Sequence, residues 1–64
     1  MKRTKLLKHL HLHGCKFERE GGNHTIYGSA DGARKTAVPR HSEIKPNMVR
    51  KICKDVDIPP PEET

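Results

Sequence analysis

The sequence predicts an α+β fold in the order α-β-β-β-α, with a three-stranded antiparallel sheet and two helices on one face. Three observations carry this. Apolar residues recur at helical spacing near both ends, as Leu6, Leu7 and Leu10 and as Val49, Ile52, Cys53 and Val56. Between them lie three short segments that alternate or are rich in strand-forming residues. The signals separating those segments, Gly21-Gly22 and Asp31-Gly32, suit tight hairpins and leave no room for crossovers. Both apolar helix stripes then need the one apolar face of the sheet.

Taken in order, Thr4 is expected to N-cap a helix running to about His13, with Gly14 as its stop. Cys15 to Glu20 alternates as a strand, Cys15 and Phe17 on one side and Lys16, Glu18 and Glu20 on the other. After the Gly21-Gly22 turn, His24 to Ser29 makes a second strand. Lys35 to Val38 makes a third, which Pro39 ends or leaves on an edge. Pro46 suits the first turn of the closing helix, where a missing N–H costs nothing. Val49, Ile52, Cys53 and Val56 line its inner stripe, Met48 sits at the margin, and Arg50, Lys51 and Lys54 face away. Residues 1–58 read as one domain, and Pro59-Pro60-Pro61 opens a flexible Pro/Glu tail over 59–64.

Sixty-four residues support one thin core, because folding at this length removes only about 60% of the unfolded chain's surface from water. A deep two-domain cleft is excluded, so any catalysis belongs on an open surface with a large polymer as substrate. Thirteen Lys and Arg against eight Asp and Glu give a net charge of +5. The cations are spread along the chain, which favours phosphate backbones through counterion release. Cys15 and Cys53 form no CxxC pair and sit at apolar positions, as small buried hydrophobes. No apolar run approaches the roughly 18 residues of a membrane span, and no signal-peptide hydrophobic stretch follows the basic start. A cytoplasmic location is expected.

Gly21-Gly22-Asn23-His24-Thr25-Ile26-Tyr27 holds the most informative chemistry. The glycines let the backbone turn sharply or approach a ligand, and a histidine resumes the chain just beyond. Imidazole is the side chain that exchanges protons near neutral pH. RNA carries its own nucleophile, the 2′-hydroxyl, so its cleavage needs a base for that proton and an acid for the leaving 5′-oxygen. One positioned histidine contributes about 10²–10⁴-fold in either role, and nearby cations stabilise the charge growing on the phosphate. His24 is the candidate. Arg19, Lys35, Arg40 and His41 are the candidates for charge or for a second proton donor. Strict alternation puts His24 on the side of Ile26, which is expected to face the core; a bulge at the glycines or a place on the open rim would free it, and the rim is favoured. With only Phe17 and Tyr27 as aromatics, base stacking is limited and sequence preference should be loose.

The element order is that of double-stranded-RNA-binding domains, but the residues resemble something narrower. A leucine-rich helix closed by Gly14 is followed by Gly22-Asn23-His24, with His24 ten residues after Gly14. Val38-Pro39-Arg40-His41 comes next, then Ile44-Lys45-Pro46-Asn47-Met48-Val49-Arg50-Lys51-Ile52. In this order the segments are similar to those of the HicA family, mRNA-cleaving toxins of HicA–HicB toxin–antitoxin systems. Asn23 stands where that family usually has serine, Cys15 where it has an aromatic, and Thr25 where many members carry a second histidine.

The resemblance implies a metal-independent endoribonuclease that cleaves mRNA with His24 and no cofactor, and a HicB-like antitoxin that covers the site. The expected RNA-contacting set is Gly22, Asn23, Lys35, Arg40, His41, Lys45, Arg50 and Lys54. The alternative is a non-catalytic double-stranded-RNA-binding module of the same fold, which holds RNA by shape, phosphate and 2′-hydroxyl contacts. A third class, a zinc-stabilised interaction module, rests only on His9, His11 and His13. Zinc takes four ligands at recognisable spacing and no Cys/His partner pair is evident, so surface histidines on a basic helix are preferred.

Overall fold

The computed structural model describes residues 1–62, so Glu63 and Thr64 of the expected tail lie outside the described residues. Helix α1 spans Arg3–Leu12, strands β1 Lys16–Gly21, β2 His24–Gly28 and β3 Lys35–Pro39, and helix α2 Pro46–Asp55. The strands form one antiparallel sheet in the order β1-β2-β3. Leu6 and Leu10 of α1, Val49, Ile52 and Cys53 of α2, and Tyr27 and Val38 of the sheet are buried in one cluster with Cys15, Ile44 and Val56. Both helices therefore share one sheet face, and the α-β-β-β-α expectation holds. The two cysteines are free and buried, and burial pushes both thiols up, which leaves them poor nucleophiles.

Helix α1 begins earlier than expected. Lys2, not Thr4, occupies the N-cap and makes no side-chain cap hydrogen bond. Tertiary pairing replaces the cap: the Arg3 amide donates to the Ser42 carbonyl at 2.9 Å, and the Ile44 amide to the Met1 carbonyl at 2.8 Å. With its first amide already paired across the chain, the helix has no need of the threonine hydroxyl. The other end follows the sequence. Gly14 has φ 82°, and the Gly14 and Cys15 amides donate to the His11 and Leu10 carbonyls. That is a Schellman closure, with Cys15 and Leu10 both entering the core.

The sheet faces depart from simple alternation at one point. Phe17 pairs with Tyr27 and Arg19 with Ile26, so Glu18 is an extra residue in a β-bulge. Beyond the bulge the sides invert. Glu20 falls opposite Thr25, and its carboxylate accepts from the Thr25 hydroxyl at 3.0 Å on the helix-covered face. This corrects the expectation that Glu20 shares the side of Lys16 and Glu18. Thr25 and Tyr27 are the buried residues of β2, whereas His24 is exposed and Ile26 half-buried. His24 and Ile26 do share a side, as alternation requires. It is the open face, so Ile26 does not point into the core and His24 needs no rescue by a bulge at the glycines.

Candidate functional site

Gly21 and His24 pair across a two-residue hairpin loop, Gly22-Asn23. Gly22 has φ 55° and Asn23 does not have positive φ. Positive φ at the first central position alone is the type II′ pattern, whose twist matches the strands it joins. Only Gly22 meets that demand without strain. On the other side His24 pairs with Pro39 of β3. The histidine thus sits mid-sheet at its end, flanked by strands on both sides and open to solvent. No hydrogen bond or ion pair engages its imidazole among the described residues.

Gly21 gives the site its floor. A Cβ there would lie 3.2 Å from Arg19 Nη1 and 3.6 Å from Ile26 Cγ1. The Arg19 guanidinium therefore lies over Gly21, on the open face, beside the cross-strand partner His24. Arg19 reaches this face because the Glu18 bulge re-aims it, and no single-sequence signal marks that bulge.

Beneath the open face a polar network ties four elements together. Arg3 of α1 donates from Nε to the Pro39 carbonyl at 2.9 Å and from Nη2 to Thr25 Oγ1 at 2.8 Å. Thr25 Oγ1 in turn donates to Glu20 Oε1, which also accepts from Arg40 Nε at 3.0 Å and from Arg40 Nη2. The hydrogen bonds from Arg40 and then Thr25 hold the Glu20 carboxyl below its usual range. The network fixes His24's neighbours on both strands, and it half-neutralises Arg40. Arg3, Thr25 and Glu20 were not singled out from sequence for this role. Their link needs the sheet register, which the bulge sets.

The expected RNA-contacting residues divide by position. Gly22, Asn23, Arg40 and His41 gather at the His24 end, where Asn23, Arg40 and His41 line a shallow hollow of about 280 Å³. Lys45 joins them through a neighbouring hollow that His41 also lines. Arg50 stands farther along α2, its Nη2 donating to Asn47 Oδ1 at 2.6 Å. Lys35 does not join the cluster. It pairs with Gly28, four residues along β2 from His24, or about 13 Å at strand rise, and makes an ion pair with Glu18 at 3.2 Å. Lys54 lies at the same far end, next to Asp55, whose carboxylate accepts from Thr36 of β3. At the end of α1, His9 and the C-capping His13 stack edge to face, and His9 donates from Nε2 to the Pro59 carbonyl at 2.7 Å. Among the described residues no three His, Cys, Asp or Glu side chains cluster to hold a metal ion, and no helix is long and apolar enough to cross a membrane.

The fold and site define a small basic α+β domain that presents one histidine on an open sheet face. A family model described as the HicA toxin of bacterial toxin–antitoxin systems matches residues 3–58. The chain belongs to that family, which implies a cognate antitoxin as its partner. No curated protein and no solved structure matches it.

Proposed function

We propose that this toxin is a metal-independent endoribonuclease that cleaves mRNA, with His24 as its proton-transfer residue. The observation that carries the reading is the placement of His24: solvent-exposed, fixed between Gly21 and Pro39, with the Arg19 guanidinium over Gly21 beside it. The 2′-hydroxyl oxygen attacks the adjacent phosphorus and loses its proton, the bond to the 5′-oxygen breaks, and that oxygen receives a proton. The products are a 2′,3′-cyclic phosphate and a 5′-hydroxyl. His24 serves one of the two proton transfers. Arg19 stabilises the charge on the non-bridging oxygens, and the Asn23–Arg40–His41 hollow holds a neighbouring phosphate. Open access suits a polymer, and a HicB-like antitoxin would silence the enzyme by covering this face.

RNA incubated with the purified protein in EDTA should be cut, and His24→Ala should lower the rate by about 10²–10⁴-fold while the circular dichroism spectrum is retained. Full activity in His24→Ala removes the assignment. RNA that stays intact while its binding falls steeply with salt makes the chain a binding module instead.

A further inference from the structure

Beside the Asn23–Arg40–His41 hollow lies a second, larger one of about 560 Å³, lined by Pro39, His41, Ser42, Glu43, Ile44, Lys45 and Met48. We infer that it is a nucleobase subsite, taking the base of a nucleotide whose phosphate rests in the Asn23–Arg40–His41 hollow. The inference rests on the proposed RNA substrate and adds what the open face alone lacks, a place for a base.

Position is the first argument. Pro39 is the cross-strand partner of His24 and lines the hollow. His41 lines both hollows, so a strand that sets one phosphate in the smaller has its adjoining base beside the larger. Chemistry is the second. Met48 is exposed at 38% although it is large and apolar, and it offers the apolar surface of the hollow, backed by the buried Pro39 and Ile44. A thioether packs well on an aromatic ring, so Met48 can meet the face of a flat base where no aromatic side chain is at hand. Volume is adequate, since small-molecule sites run from about 300 to 1,000 Å³.

Charge is the third. His41 and Lys45 stand at the rim. The one acid, Glu43, accepts a hydrogen bond from the Met1 ammonium at 2.8 Å, which holds its carboxyl low and offsets its charge. The backbone phosphates therefore meet cations, while a carboxylate oxygen remains an acceptor for the base edge.

The test uses the full chain and minimal probes, the four nucleoside 3′-monophosphates against ribose 5-phosphate, titrated by NMR. At least one nucleotide should shift the Met48 methyl resonance and bind about 2–10-fold more tightly than the base-free sugar phosphate. Met48→Ala should erase that difference and leave sugar-phosphate binding unchanged. Equal binding of nucleotide and sugar phosphate, no binding of any nucleotide, or a base preference untouched by Met48→Ala each overturn the subsite. A Met48→Ala protein that loses antitoxin affinity but keeps its base preference assigns the hollow to protein contact, and also overturns it. Catalysis is read separately. Base-dependent binding with uncut RNA keeps the subsite and removes the nuclease reading, whereas cut RNA without base-dependent binding does the reverse.

Discussion

Thr25 holds the polar network beneath the site together. It is buried, with 3% of its surface exposed, and its one hydroxyl both accepts from Arg3 and donates to Glu20. Thr25→Val keeps the shape and removes both bonds, leaving an arginine donor unpaired below the sheet. It should cost about 1–3 kcal/mol, read as a lower urea midpoint, and it should also loosen Pro39 next to His24. Glu20 gives the network a pH dependence. Its folded carboxyl titrates below the unfolded value, so it contributes stability above the ordinary carboxylate range. That contribution is lost as pH falls through the depressed folded value. Glu20→Gln should therefore flatten the acid limb of a thermal-melting profile below about pH 5. Arg19 acts above the sheet. If its guanidinium stabilises the phosphate, Arg19→Ala should slow RNA cleavage by about 10²-fold without changing the melting temperature.

The two helices end alike, and their last residues test what the motif requires. After α2, Asp57 takes φ 58°, and the Asp57 and Ile58 amides donate to the Lys54 and Cys53 carbonyls. This repeats the closure of α1 with aspartate in the place of Gly14. Asp57→Gly should stabilise the fold by about 0.5–1 kcal/mol, a rise of about 2–8 °C in melting temperature for a domain this small. Gly14→Ala should do the opposite, by about 1–3 kcal/mol, because it adds backbone strain and puts a Cβ 2.9 Å from the Ala30 Cβ. These ends also show where the sequence was readable. Gly14, Pro46 and the periodic stripes of Leu6–Leu10 and Val49–Val56 announce themselves by residue type. The Glu18 bulge does not, since Lys16-Phe17-Glu18-Arg19-Glu20 contains no glycine, proline or turn residue. Consequently His24 was legible from its loop and Arg19 as one of four candidate charges, but the bulge that sets Arg19 above the sheet and Glu20 below it was not. The start of α1 was misplaced for a related reason. Threonine is a local signal, and the pairing with residues 42–44 that overrode it is tertiary.

Across the whole molecule the cations separate into two ends that composition cannot distinguish. His41, Lys45 and, farther along α2, Arg50 follow the His24 end of the sheet, whereas Lys35 and Lys54 lie where β3 begins and α2 finishes. The Cα trace measures 26 × 25 × 16 Å, so an RNA strand engaged at one end need not touch the other. If RNA crosses at His24, replacing Lys45 and Arg50 by glutamine should remove two phosphate contacts. The slope of log affinity against log salt should then fall by about 0.7 per contact for a single strand, with weaker binding across all sequences. Lys35→Gln with Lys54→Gln should change that slope by less than one contact's worth, because both lie at the end of the sheet away from His24. Equal slope changes from the two pairs would mean that RNA runs the full length of the domain. The same variants bear on the antitoxin. An acidic partner that silences the toxin by covering His24 should lose association rate with Lys45 and Arg50 and be nearly indifferent to Lys35 and Lys54. A partner that instead depends on the far-end pair would have to inhibit without covering the histidine.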